Sequence, residues 1–318
     1  MAARPEIGYA LSSEEHGPAD LVRYAKLAEE RGFTYALVSD HFHPWTDRQG
    51  QSPFVWAVAG AIAQATDRLR LGTGVTCPTI RTHPAVIAHA SATAAALMPG
   101  RFFLGLGTGE NLNEHVLGDR WPEGEVRLEM LTEAIEVIRL LWEGGYQSHH
   151  GRYYTVEQAR LYTLPEEPPP IMVAADKPSA AKLAATAGDG LIGTAPDEDL
   201  LGEFDGAGGS GKPRFGQVTV CWAEDDESAR KTAHEWWPNA AMPGELAQEL
   251  ALPRHFEQVA ELVTEDDVAE KVVCSSDPDV HRAAIEEYAD VGYDHVYVHQ
   301  VGPDQEGFLD FYGREILS

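Results

Sequence analysis

Short runs rich in β-branched and aliphatic residues recur eight times along the chain, with helical stretches between most of them. Runs such as ALVSD at 36–40, PIMVAAD at 170–176 and HVYVHQV at 295–301 are apolar almost throughout, not on alternate residues. Continuous hydrophobicity of that kind belongs to strands buried on both faces, the situation of parallel strands covered by helices. The strands predicted on this basis are Glu6–Leu11, Tyr35–Asp40, Leu69–Cys77, Phe102–Thr108, Pro170–Ala175, Gly190–Thr194, Phe215–Ala223 and His295–Val301. Helices are predicted over Pro18–Arg31, Pro53–Ala65, Pro84–Leu97, Val126–Glu143, Ser179–Ala187 and Asp279–Val291. The first carries Leu21, Tyr24, Ala25 and Ala28 at the three-to-four spacing of an amphipathic face. Gly32 and Gly292 each stand between a helix and a strand, where a left-handed C-cap is expected.

Eight such alternations in 318 residues predict a single-domain α/β fold, a (β/α)8 TIM barrel, better than a doubly wound sheet. One connection exceeds a plain crossover: an insertion after the fourth strand, over about residues 110–169, holds a helix and a hairpin with GGYQSHHGRYY as its turn region. A second long stretch, Met242–Thr264, precedes the helix at 279–291; both are expected to form lids or walls of a pocket. GAGGSGKPR at 206–214 reads as a short flexible loop, and there is no internal repeat or linker.

Acidic residues outnumber basic ones by 51 to 24, a formal net charge of −27. So negative a surface repels nucleic acid and anionic membranes, leaving a small molecule as the expected partner. An anionic ligand would need a local basic or N–H-lined pocket working against the overall field. No run approaches a membrane span, and the opening MAARPEIGYALSSEEH lacks the apolar core of a signal peptide, so a cytoplasmic protein is expected. Cys77, Cys221 and Cys274 form no CxxC pair and read as small buried hydrophobes.

In a barrel of this class function sits where strands end and βα loops begin. The first strand ends near Glu14, the second in Asp40-His41-Phe42-His43-Pro44-Trp45, the fourth in Gly107-Thr108-Gly109-Glu110, and the eighth in His299-Gln300. Glu14, His41 and Glu110 should therefore converge over one mouth with Trp45 beside them: an imidazole and two carboxylates able to exchange protons, next to an aromatic wall. Glycines at 72–74 and 105–109 leave backbone N–H groups open to a flat or anionic ligand. Taken singly, His41 is a hydrogen-bonded structural residue, Glu110 a helix cap and Trp45 packing; their joint placement at three strand ends points to chemistry. GLGTGE does not match the dinucleotide fingerprint GxGxxG. His41-x-His43 also admits a metal-dependent barrel hydrolase, but later strand ends offer only Asp176 as a further ligand.

SDHFHPW at 39–45, LGTGVTCPTIRTHPA at 71–85 and GRFFLGLGTGENLNEH at 100–115 resemble the luciferase-like family of flavin and deazaflavin oxidoreductases. GRYYTVEQARLY, AAKLAATAGDG and VYVHQVGPDQEGFLDFY extend the likeness over nearly the whole chain. Within that family the pattern is similar to the F420-dependent glucose-6-phosphate dehydrogenase group. The resemblance implies a homodimeric barrel with coenzyme F420 in its mouth and hydride transfer between a substrate carbon and C5 of the deazaflavin. It assigns His41, Glu110, Trp45 and Glu14 to catalysis. Asp40, Gly74, Val75, Cys77, Gly107, Thr108, Asn113, Ala174, Ala175 and Lys177 fall to the cofactor, Gly74-Val75 forming a bulge that is often a cis peptide in the family. Asp176-Lys177 stands where the family often has small residues, which leaves the cofactor-tail contacts there open. The expected substrate is a small alcohol or hemiacetal, sugar phosphates first; a reductase using reduced F420 and an FMN monooxygenase are the alternatives. Where the glucose-6-phosphate enzymes carry phosphate-binding lysines this chain has Asp197 and Glu270, so a phosphate is left to Lys271 or Arg254, and glucose 6-phosphate is expected to be a poor substrate.

Overall fold

The computed structural model describes residues 4–242 and 244–318. In chain order its strands are β1 (Glu6–Leu11), β2 (Tyr35–Val38), β3 (Arg70–Thr73), β4 (Phe102–Leu106), β5 (Gln147–His150), β6 (Thr155–Ala159), β7 (Ile171–Ala174), β8 (Gly190–Gly193), β9 (Arg214–Cys221), β10 (Val273–Cys274) and β11 (His295–Gln300). Strands β1, β2, β3, β4, β7 and β8 run side by side in parallel; β9 pairs with β8 and β11, and β11 returns to β1. The sheet is thereby a closed eight-stranded parallel barrel ringed by helices, the (β/α)8 architecture read from the sequence. Short β10 pairs with the end of β9, at Val220 and Cys221, beyond the stretch at 214–216 that β8 occupies.

The helices Pro18–Arg31 and Pro84–Leu97 have the predicted bounds, each opening on a proline at a position that needs no N–H. Gly32 (φ 99°) and Gly292 (φ 111°) close their helices in the left-handed conformation. Several strands are shorter than predicted. The third ends at Thr73, and Gly74–Val75 is a cis peptide, after which Thr76 bridges Leu106. Inside the barrel, Phe103 and Phe215 stack at 5.2 Å between centroids. A Cβ on Gly72 would lie 2.0 Å from the Phe103 ring, so glycine is what lets that ring lie across β3. The large core between barrel and helices gathers residues such as Leu71, Ile87, Leu104, Ile138 and Val173, all fully buried.

Several helices, of 5 to 11 residues, escaped the sequence reading. Those at Glu198–Phe204, Asp226–Trp236, Glu265–Ala269 and Gln305–Glu315 open on Asp197, Asp225, Thr264 and Asp304, whose side chains accept from backbone N–H groups of the first turn. The segment 206–214 is anchored: it continues as a wide helical turn over Asp205–Gly209, and Lys212 Nζ donates to the carbonyls of Ala185 and Gly188 at 2.7 and 2.8 Å. Cys221 and Cys274 are register partners across β9 and β10, both as free thiols. Among the described residues no helix is long and apolar enough to cross a membrane.

The insertion holds the predicted helix, Gly124–Trp142, and the hairpin, but the turn is only 151–154; much of GGYQSHHGRYY forms β5. Glu133 fastens that turn to the helix. Its carboxylate accepts from the backbone N–H groups of Arg152, Tyr153 and Tyr154 and meets His149 Nε2 at 3.1 Å. Burial pushes this carboxyl up, yet the Tyr154 N–H, His149 and the other donors together hold it below its ordinary value. The stabilisation is therefore full above the ordinary carboxylate range and is lost as pH falls through the lowered folded value. Glu133→Ala is expected to cost about 1–3 kcal/mol in urea unfolding and to open 151–154 to proteolysis, with the difference from wild type shrinking below about pH 4.

Candidate active site

The C-terminal ends of the barrel strands surround a cavity of about 280 Å³. This is close to the lower bound, roughly 300 Å³, of ordinary small-molecule sites. Glu14, Asp40, His41, Trp45, Gly74, Val75, Cys77, Gly107, Thr108, Glu110, Asn113, Ala174 and Ala175 all line it. Of the expected residues, Lys177, Arg254 and Lys271 do not.

Glu14 is buried at the end of β1, and its Oε1 lies 3.2 Å from His41 Nε2. Its Oε2 accepts from Ser39 Oγ at 2.6 Å and Ser12 Oγ at 3.1 Å. Burial raises this carboxyl, but His41 and the Ser39 hydroxyl outweigh it, and the net position is below the ordinary value. The other ring nitrogen of His41, Nδ1, faces the His43 carbonyl at 3.2 Å. A carbonyl only accepts, so Nδ1 carries hydrogen and Nε2 is the atom that exchanges a proton with Glu14 or with a ligand. Trp45 packs edge-on to His41 at 5.1 Å and is backed by Phe256 at 5.2 Å. Phe256 lies in the stretch 242–264 expected to wall the pocket, and clusters there with Leu112 and Met242.

His43 turns the other way. Its Nδ1 bonds the Leu112 carbonyl at 2.9 Å and its ring stacks on His115. The two histidines of His41-x-His43 therefore have separate tasks and present no common face to a metal.

Glu110 precedes the helix Asn111–Glu114 but makes no side-chain cap bond to it, which leaves its carboxylate facing the cavity. Asn113 fixes its place. The amide Oδ1 accepts from the backbone N–H groups of Phe42 and His43, at 2.9 and 3.2 Å, while Nδ2 donates to Glu110 Oε2 at 3.3 Å. One buried side chain thus joins the loop carrying His41 to the loop carrying Glu110. Asp40 is held in turn by Thr76 Oγ1 at 2.8 Å and Arg81 Nη2 at 2.9 Å. Arg81 also meets Glu114, through its backbone N–H at 2.8 Å and its Nε at 3.4 Å. Burial raises the Glu114 carboxyl and the shared guanidinium does not fully offset this.

Among the residues that line the cavity, Thr194, Gln217, Trp237, Gln248 and Tyr297 had no role in the sequence reading, and His299 had only its place at the end of the eighth strand. His299 Nε2 meets Glu15 Oε2 at 3.3 Å, a second histidine–carboxylate pair beside the first, and its ring lies edge-on to Trp237 at 4.5 Å. Gln248 is gripped by Arg127 at 3.1 Å and bonds Asp176 at 3.3 Å. The signal for Glu15 was its adjacency to Glu14 in SSEE, and for Arg81 its place in the third strand's motif; nothing local marked Arg127 or Gln248.

Lys177 is exposed at the start of the helix Pro178–Thr186, its ammonium 3.9 Å from Glu245. Arg254 is exposed on the helix Pro253–Ala260, whose buried face is Phe256. Lys271 is exposed where the chain enters β10, outside the eight-stranded ring. Asp197 caps Leu200 N at 2.9 Å, and Glu270 is exposed.

Residues 1–295 match the model of the luciferase-like monooxygenase family, and the chain belongs to that family. It is 38% identical over 322 residues to an F420-dependent glucose-6-phosphate dehydrogenase of Microbacterium testaceum, covering 98% of this chain and 96% of that one. It is 39% identical to the enzyme of the same name from Kribbella flavida, covering 98% and 97%. Its backbone superposes with a TM-score of 0.92, at 30% identity and over 99% and 98% of the two chains, on an F420-dependent secondary alcohol dehydrogenase in complex with an F420-acetone adduct.

Arg81→Met leaves Asp40 and Glu114 buried without their cation. Loss of one partner of such a cluster costs about 3–5 kcal/mol. Urea unfolding at neutral pH should show a loss on that scale, and the deficit should narrow on acidification as the two carboxyls take up protons.

Proposed function

We propose that the protein is an F420-dependent dehydrogenase that oxidises a small alcohol or hemiacetal, the class that contains both the sugar phosphate and the secondary alcohol named for its relatives. The observation that carries this reading is the convergence of His41, Glu14, Glu110 and Trp45 on a cavity to which the ends of β3, β4 and β7 contribute the small side chains of Gly74, Val75, Cys77, Gly107, Thr108, Ala174 and Ala175. That smooth wall fits a flat deazaflavin ring. Gly107 maintains it, because a Cβ there would come 2.6 Å from Val75 Cγ2. Gly74, Val75, Cys77, Gly107, Thr108, Ala174 and Ala175 would contact the group and Asp40 its head. Lys177, outside the cavity, would reach only a part of the ligand that extends beyond the mouth. When bound, F420 supplies a two-electron hydride acceptor.

The side chains of the protein manage the proton. Loss of hydride from a carbinol carbon requires the hydroxyl proton to leave, and the pair formed by His41 Nε2 and Glu14, 3.2 Å apart at the cavity, is placed to accept it, the carboxylate balancing the charge. Glu110, on the loop after β4 and oriented by Asn113, is placed to handle a proton on the cofactor side. Trp45 closes the site over the reacting carbon. With its proton in place, His41 donates equally well to a carbonyl oxygen, so the same arrangement serves the reverse reduction.

A homodimer is part of the proposal. In a chain of net charge −27, the neighbouring helices Val55–Ala65 and Pro84–Leu97 contain no charged residue, and Ala57, Ala61, Val86 and Leu97 are exposed on them beside Phe54. Such a face fits burial against a second copy. Only three cysteines in 318 residues, an odd number without a CxxC pair, fit a reducing compartment such as the cytoplasm.

Oxidised F420 is expected to bind in the micromolar range or tighter and FMN far more weakly; equal binding of FMN in a fluorescence titration would exclude this assignment. His41→Ala and Glu110→Gln should each lower kcat by roughly 10²–10⁴ with much smaller changes in F420 affinity. His43→Gln should be far milder than loss of His41. In sedimentation, the wild type should run as a dimer and Val86→Asp as a monomer.

A further inference from the structure

The cavity has two unlike halves. Small residues of β3, β4 and β7 form the smooth one. The other is built from Thr194 after β8, Gln217 on β9, and Tyr297 and His299 on β11, with Trp237 and Trp45 as its aromatic sides. Carboxylates line the cavity as a whole: Glu14, Asp40, Glu110, Glu114 and Asp176. Among the described residues that line it there is neither lysine nor arginine. Arg81, the cation just behind the wall, is bound to both Asp40 and Glu114. The two histidines that face the space each stand against a carboxylate already, His41 with Glu14 and His299 with Glu15.

A phosphorylated substrate would bring about two negative charges into this setting at neutral pH. It would meet carboxylates without a free counter-charge, inside a protein whose overall field is already negative. Uncharged hydroxyl groups find a better match. Gln217 Nε2 lies 3.4 Å from Thr219 Oγ1, which leaves its carbonyl oxygen to accept a bond. With Nε2 engaged by Glu15, His299 has one ring nitrogen left for a ligand, and Thr194 offers a hydroxyl. The faces of Trp45 and Trp237 suit the C–H surface of a small alcohol or polyol.

We infer that the substrate is uncharged: a small hydroxylated molecule seated between Trp45 and Trp237 and recognised by Thr194, Gln217 and His299. This rests on the dehydrogenase reading and narrows it. Its test uses the purified protein with oxidised F420, following loss of the cofactor's absorbance with matched substrates: glucose against glucose 6-phosphate, glycerol against glycerol 3-phosphate, and propan-2-ol. The neutral member of a pair should have a kcat/KM at least about tenfold higher. Any slow turnover of the phosphorylated member should quicken between about 0.01 M and about 0.3 M salt, as screening weakens the repulsion. Gln217→Leu should raise KM for the neutral substrate about tenfold with a smaller effect on kcat. A phosphorylated member that outperforms its neutral partner, or whose rate falls with salt, would overturn the inference and leave the dehydrogenase reading standing. F420 that is neither bound nor reduced with any of the compounds would overturn the dehydrogenase reading itself.

Discussion

Closure of the parallel sheet governs everything above it. Because β9 joins β8 on one edge and β11 on the other, and β11 joins β1, the eight barrel strands end on one rim. A parallel strand delivers its last residues in the same direction as its neighbours. Side chains far apart in sequence, Glu14 and His299 for example, thus arrive within one small volume without any loop having to travel. The interior below is filled by rings such as Phe103 and Phe215, so a ligand meets a floor and not a channel.

On that platform the site is organised by two groups that do no chemistry themselves. Asn113 settles the separation of the His41 and Glu110 loops through three hydrogen bonds. Arg81 allows Asp40 and Glu114 to be buried together, a costly arrangement without a shared cation. Both residues are buried or nearly so, and both use fork-like polar groups whose geometry is fixed by planarity. Electrostatic order near the proposed cofactor position thus comes from inside the wall and not from the surface, where the net charge offers nothing favourable.

The barrel was legible because its strands are buried on both faces and its longer helices carry strong end signals, Pro18 with Gly32 being one such pair. His41, Glu14, Glu110 and Trp45 were legible for a related reason: strand ends are few and all face one way. What escaped is instructive. The helices Glu198–Phe204 and Glu265–Ala269 bury too few side chains to show a period, and only their caps, Asp197 and Thr264, announce them. Lys177, which the resemblance assigns to the cofactor, and Arg254 and Lys271, left to a phosphate, lie outside the cavity lining. The direction of a long side chain depends on which face its helix buries, as with Arg254 opposite Phe256, and linear order does not report that. Trp237 and Gln248 come from segments whose approach to the cavity is decided by tertiary packing alone, whereas Gln217 lies in a predicted barrel strand.

The double attachment of Asn113 constrains how such a site can change over time. A residue gained or lost in the loop after β2 would displace Phe42 and His43 from the amide oxygen, and the disturbance would pass directly to Glu110 on the loop after β4. The reverse holds for a change in length after β4. These two loops must therefore vary together or not at all. Among the described residues Thr194 and Gln217 have no comparable tether across the cavity, so single substitutions there would change that wall while Glu14, His41 and Glu110 keep their positions. Descent with modification would find new substrates on the β8–β9 side and leave the β2–β4 side as the inherited part.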